Sequence, residues 1–254
     1  MEKIIILIPV YKKCLDALEC YSLDHSLTVL SGRPNIFFIA PETLDRSYYL
    51  KRYPSISFLL FKAHFFESIV GYNRLLLSKP FYQQFFGYEF LLILQTDAIV
   101  LRDELDIWSS QVFDYVGAPW PDGYELFVNA GRFEGNNGKR VKVHVGNGGL
   151  SLRRVRKCLA LLEEFDDIVK VFELTGSSED LFFSVMGALS NDFIMPNEIT
   201  ASRFSLELKP SYYVAVNGGK LPMAGHAWWK YELGFWQRFL NDVPVISGKP
   251  PVSE

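Results

Sequence analysis

Phe90–Asp103 reads FLLILQTDAIVLRD, an apolar run that halts at one aspartate, resumes, and ends in charge. Read as one strand over Phe90–Leu101, it is too apolar for a sheet edge and belongs in the middle of a sheet covered on both faces. A lone carboxylate in such a strand is costly unless it is ion-paired, bound to metal, or placed at the strand's open end. Asp97 therefore needs a partner, and the rest of the chain can be searched for one.

Upstream, Lys3–Val10 (KIIILIPV) is a β-branched run suited to a first buried strand. Tyr11–Leu30 carries Leu15, Leu18, Tyr21 and Leu27 at helical spacing, which places Cys14 and Cys20 on one early helix. Asn35–Ala40 and Ile56–Phe61 read as strands, and Ile69–Phe86 as a helix with a break at Pro80. Strands alternating with helices define an α/β fold, with a largely parallel sheet and helices on both faces.

Downstream, Asp114–Trp120 is a short strand. Pro121–Lys142, rich in Gly, Asn and charge, reads as a mobile loop or an irregular hairpin. A loop of that length inside a compact domain is more often functional than idle. Val143–Leu152 is a strand with a glycine-rich turn inside it, and Arg153–Phe165 and Glu179–Ala188 are helices. Gly225–Leu240 (GHAWWKYELGFWQRFL) reads as an aromatic-rich amphipathic helix. With neither repeat nor linker, residues 1–245 make a single domain, followed by a Pro-rich tail over 246–254.

Composition narrows the function classes. Hydrophobic content of 49% against 22% charge is that of a globular chain, and 254 residues are enough for one large core. A net charge of −3 gives no electrostatic reason to expect nucleic acid. Three cysteines without CxxC spacing argue against a disulfide framework or a zinc site. The apolar run Ile4–Val10 is too short to span a bilayer and lacks a signal-peptide cleavage pattern, so a cytoplasmic location is expected. Aromatic content of 15% suggests stacking surfaces. Trp228, Trp229, Phe235, Trp236 and Phe239 could also form an apolar helix face for peripheral contact at the inner side of a membrane.

A parallel α/β sheet places its ligand outside the carboxyl ends of its strands. Three polar features fall there: Pro9-Val10-Tyr11, Asp97, and Asn147-Gly148-Gly149. The glycines do not form a dinucleotide fingerprint, but they let a ligand approach the backbone closely. Ser177 or Ser178 can cap a helix whose first turn holds Glu179 and Asp180, where the macrodipole favours negative charge. Lys230, one turn after His226 on the expected terminal helix, would face the same way.

These elements resemble those of GT-A nucleotide-sugar glycosyltransferases. LQTDAIVL resembles their Asp-x-Asp element, with Gln95 at the first acidic position and Asp97 at the last. GHAWWK resembles the late segment whose histidine returns to the metal. SEDLFFS resembles the Glu-Asp pair that supplies the base of inverting enzymes. The order VGAPW, VGNGGLSLRR, SEDLFFS and GHAWWK, spanning roughly residues 55–240, resembles the bacterial family DUF5672, encoded with surface-polysaccharide genes. The resemblance implies a GT-A-like (Rossmann-like) mixed sheet flanked by helices. It implies transfer of a hexose, galactose favoured, from a nucleotide diphosphate sugar, UDP favoured. The acceptor would be a hydroxyl of a glycan or of a lipid-linked glycan, as in O-antigen assembly.

The same resemblance implies site roles. Asp180 or Glu179 would be the base of an inverting reaction. Asp97 and His226 would hold Mn²⁺ or Mg²⁺, imidazole favouring manganese. Pro9, Tyr11, Arg74, Gln95, Asp97, Asn147, Gly148, Gly149 and Lys230 would contact the donor. Alternatives are a metal-independent or retaining transferase of the same fold, and a non-catalytic glycan-binding protein.

Overall fold

The structure, a computed structural model, describes residues 2–129 and 138–245; the tail expected over 246–254 and the centre of the 121–142 segment lie outside them. The chain opens with β1 (Glu2–Pro9), whose Ile4–Ile8 run is buried from both sides. Alternation sends Ile5 and Leu7 into one apolar layer and Ile4, Ile6 and Ile8 into the other. The first half continues with α1 (Ala17–Val29), β2 (Ile36–Pro41), α2 (Ser47–Arg52) and β3 (Ser57–Phe61). Then come α3 (Ile69–Leu76), α4 (Lys79–Gln84) and β4 (Tyr88–Leu94). Pro80 lies in the first turn of α4, where its missing N–H costs nothing, so the expected helix does break there.

The second half runs β5 (Ala98–Val100), α5 (Leu105–Ser109), β6 (Tyr115–Val116), β7 (Pro119–Val128), β8 (Lys139–Val145) and β9 (Leu150–Arg154). It ends with α6 (Val155–Glu164), α7 (Asp166–Thr175), α8 (Glu179–Leu189), α9 (Glu198–Phe204), β10 (Ser205–Leu206), α10 (Pro210–Val216), β11 (Ala224–His226) and α11 (Leu233–Trp236).

The main sheet has the order β3-β2-β1-β4-β9-β6. β3, β2, β1 and β4 are parallel, whereas β9 runs antiparallel to both β4 and β6. The sheet is therefore mixed, as the resemblance implies, with β9 alone running against the other strands. The 121–142 segment is part of a hairpin, with Tyr124–Val128 paired to Lys139–Val143.

The Phe90–Leu101 run is two strands. Its first part stays in the main sheet as β4, and the chain then turns at Gln95-Thr96-Asp97, where the Ala98 amide donates to the Gln95 carbonyl at 3.0 Å. The second part, β5, pairs antiparallel with β11 in a separate three-stranded sheet. Asp97 thus avoids the cost of a central strand by sitting in a turn beyond the carboxyl end of β4.

The terminal segment is not a helix from Gly225 to Leu240. Gly225 and His226 pair with Ile99 and Ala98, and left-handed backbone at Ala227 (φ 46°) and Glu232 (φ 48°) stops any helix before α11. Of the residues expected to form an apolar face for membrane contact, Trp228, Phe235 and Trp236 are buried with Ile99, Leu206 and Tyr213, Trp229 is half-buried and Phe239 is exposed. Among the described residues no helix is long and apolar enough to cross a membrane. Cys14 is exposed ahead of α1 rather than on it, because the helix starts only at Ala17.

Candidate functional site

A cavity of about 740 Å³ opens beyond the carboxyl ends of β1 and β4, within the size usual for a small-molecule site. Its walls come from the β1–α1 connection (Pro9, Tyr11, Lys12, Asp16, Glu19), α3 (Tyr72, Asn73), the β4–β5 turn and the β8–β9 turn. The start of α8 and the residues Glu207, His226, Trp229 and Lys230 close it. Of the residues singled out from the sequence, all but Arg74 line this one cavity.

Arg74 is a correction. On α3 it is turned away from Tyr72 and Asn73, is exposed, and donates to the Glu173 carbonyl at 3.0 Å. Successive helical residues point about 100° apart, so the side chain that reaches inward is that of its neighbour Asn73.

Asp97 meets two cations. Its Oδ1 lies 3.2 Å from His226 Nε2, and its Oδ2 accepts from Lys230 Nζ at 2.8 Å. On the far side of the imidazole, Nδ1 is 3.3 Å from Glu207 Oε2. His226 and Lys230 reach Asp97 from β11 and the turn after it, not from successive turns of a helix. Burial works against charge on His226, but Asp97 and then Glu207 outweigh it and push the imidazole up to about 10. Burial likewise opposes ionisation of Asp97, and His226 and Lys230 overcome it, holding the carboxyl well below the usual range.

The same atoms can be tested against a small divalent cation. His226 Nε2 faces Asp97 Oδ1 at 3.2 Å and Gln95 Oε1 at 3.3 Å. Two ligands of one hexacoordinate cation with bonds near 2.1 Å stand about 3 Å apart. His226 Nε2 is therefore close to that spacing from each of the two oxygens, and Glu207 is placed to orient the imidazole from behind. Among the described residues no three His, Cys, Asp or Glu side chains converge on such a point. The third donor is the Gln95 amide oxygen, and any further ligands must come from the substrate or water. The set fits a cation held jointly with a diphosphate.

The β8–β9 turn lines the cavity beside the imidazole, its Gly149 carbonyl accepting from the Gln95 amide at 2.9 Å. Asn147 takes left-handed backbone (φ 26°), which an asparagine tolerates better than most residues. A Cβ at Gly148 would strike the Glu179 carboxylate, and one at Gly149 would overlap the His226 ring. Gly148 N–H donates to Asp180 Oδ2 at 3.1 Å, and Leu181 N–H to Asp180 Oδ1 at 2.7 Å. Ser178 is the N-cap of α8 without a side-chain cap bond, so the Asp180 carboxylate takes part of that role.

Glu179 differs from its neighbour. It is buried and grips the fully buried Arg153 through both oxygens, at 2.9 and 3.0 Å. Nothing in the local sequence marks Arg153 or Glu207 as site residues, since each is defined by a partner distant along the chain. A third network joins Lys12, Glu19 and Thr96: Glu19 Oε1 accepts from Lys12 Nζ at 2.8 Å and from Thr96 Oγ1 at 2.9 Å.

A mixed α/β sheet with an acid-lined cleft beyond its central parallel strands is the GT-A-like architecture. Solved structures agree. The fold is similar to the apo form of mouse xyloside xylosyltransferase 1, with a TM-score of 0.52 and 11% identity over 88% of this chain and 97% of that one. It is also similar to the apo bifunctional glycosyltransferase WbbM, with a TM-score of 0.52 and 11% identity over 89% of this chain. That match spans only 45% of the longer WbbM chain. At such identity the likeness is one of fold. Comparison with curated proteins gives no match. The family described as "Protein of unknown function (DUF5672)" matches residues 55–226, and the chain belongs to that family.

Proposed function

We propose that this protein transfers a hexose from a nucleotide diphosphate sugar to a hydroxyl of a glycan acceptor, with inversion. The observation that carries the reading is the placement of two carboxylates in one cavity. Asp97 stands with His226, Lys230 and Gln95, and Asp180 stands with the Gly148 amide. The glycosyltransferases that share the fold support the reaction class. UDP-galactose as donor, a lipid-linked acceptor and a place in surface-polysaccharide assembly complete the proposal, on the family resemblance.

In this reading Asp180 takes the proton from the acceptor hydroxyl as its oxygen attacks the anomeric carbon, and the bond to the diphosphate breaks on the opposite side. Glu179, committed to Arg153, is a support rather than the base. The cavity wall carries the carboxylates of Asp16, Glu19, Glu67, Asp97, Asp180 and Glu207, and that of Glu179 paired with Arg153, against the cations Lys12, His226 and Lys230. A diphosphate entering such a wall needs added positive charge. Asp97, His226 and Gln95 would hold Mn²⁺, which supplies charge neutralisation at the leaving diphosphate when bound. A second reading has its own support: His226, pushed up to about 10, is itself a cation at neutral pH and could neutralise the diphosphate with Lys230 alone.

One experiment separates these. Thermal shift and turnover are measured across nucleotide sugars with added Mn²⁺ and after EDTA, for the wild type and Asp180→Asn. The expected result is a donor-specific rise in melting temperature that needs Mn²⁺. Asp180→Asn should keep that rise and lose about 10²–10⁴-fold in transfer. Undiminished turnover after chelation would select the metal-independent reading. Full activity in Asp180→Asn would remove Asp180 as base.

A further inference from the structure

Arg153 is the one fully buried arginine among the described residues, and it lies behind the cavity wall rather than in it. Its guanidinium is nearly saturated: Nη1 donates to Glu179 Oε2 at 3.0 Å and Tyr82 Oη at 3.1 Å, Nη2 to Glu179 Oε1 at 2.9 Å, and Nε to Ser151 Oγ at 2.9 Å. The rings of Tyr115 and Phe183 lie 5.1 and 5.4 Å from its Cζ. Ser151 Oγ passes the chain of bonds on, donating to the Gly148 carbonyl at 3.0 Å. Gly148 N–H in turn holds Asp180.

Burying an ion pair usually contributes little net stability, and packed apolar side chains of the same volume do as well or better. Its retention here calls for another role. The β8–β9 turn and the first turn of α8 meet at the bond from Gly148 to Asp180, and both are also tied to this one guanidinium, the turn by way of Ser151 in β9 and the helix through Glu179. Arg153 also neutralises Glu179, which would otherwise stand as an unpaired buried anion next to the half-buried Asp180 on the same helical turn.

We infer that Arg153 and Glu179 are a positioning pair that registers the Gly148 amide and the Asp180 carboxylate against each other, and that they act on the transfer step rather than on donor binding. The inference rests on Asp180 being the base.

The test uses a paired variant, Arg153→Met with Glu179→Met, because removing either charge alone strands the other in the core. Melting temperature, donor affinity by calorimetry with the nucleoside diphosphate, and kcat against donor KM are compared with the wild type. The expected outcome is a folded protein with donor affinity and KM within about 2-fold and kcat lowered by about 10-fold or more, as a loosened catalytic group gives. Glu179→Gln is the second variant, keeping shape while weakening the grip. It should lower kcat by a smaller factor, again without a change in KM. Unchanged kcat in both variants, or a loss of donor affinity matching the loss of kcat, overturns the inference. A wild type that turns over no nucleotide sugar overturns the transferase reading together with it, whereas an active wild type with equally active variants overturns this inference alone.

Discussion

Gly149 sets where the His226 imidazole can lie. A methyl at this position would overlap the ring, yet its backbone is not left-handed, so alanine suits the chain itself. The substitution therefore tests the imidazole's placement without adding backbone strain. In Gly149→Ala the ring must swing away from Asp97 and Gln95, and Nε2 loses its spacing from the two oxygens. We expect Mn²⁺-dependent donor affinity to fall by about 10–100-fold, the range seen when groups that orient a ligand are lost. Calorimetric titration of Mn²⁺ with nucleoside diphosphate measures it, and unchanged affinity would show that His226 does not hold the cation. Asp97 itself shows what a residue's surroundings can and cannot reveal. Its need for a partner was legible from an apolar run broken by one acid. That His226 is one partner was legible only through resemblance, and that Lys230 bonds Asp97 and Glu207 lies behind the ring not at all, because a contact between residues far apart in the chain leaves no local pattern.

Among the elements, α1 shows a signal that was present in the sequence and carries a measurable energy. Asp16 accepts from the amides of Leu18 and Glu19 at 2.9 Å each, and Glu19 Oε2 accepts from Asp16 N–H at 3.1 Å. This is a reciprocal cap, spelled by an acid followed three residues later by glutamate, and it starts the helix at Ala17 rather than Tyr11. Asp16→Ala should cost about 1 kcal/mol of stability by urea denaturation. Glu19 keeps its bonds to Lys12 and Thr96, so donor affinity should change little. Lost affinity at unchanged stability would instead make Asp16 a donor contact. The first three strands of the main sheet were readable almost to the residue, since β-branched and aromatic runs end at charges and prolines. Lys3–Val10 became Glu2–Pro9, and Ile56–Phe61 became Ser57–Phe61. The break between β4 and β5 was not readable, because Ala98-Ile99-Val100 is equally apolar whichever sheet it joins, and its partner Gly225 is remote. The aromatic terminus misled for a related reason. Its spacing is helical, and the left-handed turns at Ala227 and Glu232 have no glycine to announce them.

For the molecule as a whole, the layers around the cavity are joined by buried phenols. Tyr49 Oη donates to the Lys12 carbonyl at 2.8 Å, tying α2 to the connection after β1. Tyr53 Oη donates to Asp24 at 2.9 Å, tying α2 to α1. Tyr115 Oη donates to the Gly146 carbonyl at 3.1 Å, beneath the β8–β9 turn, and Tyr213 Oη donates to Glu198 at 2.5 Å, joining α10 to α9. Burial pushes every one of these phenols well above its ordinary value, and neighbouring carboxylates add to the effect at Tyr53 and Tyr213. Their folded-state values lie above the unfolded one, so the folded form holds these protons longer. The stability they contribute is fully present below about pH 10 and is lost as the pH rises beyond it. Of the 13 tyrosines, we therefore expect only part to titrate reversibly in phenolate absorbance near pH 10. The remainder should ionise at higher pH in one cooperative step, together with loss of the circular-dichroism signal. If all 13 titrated smoothly near pH 10 in a protein that stayed folded, the phenols could not be the buried ties between layers.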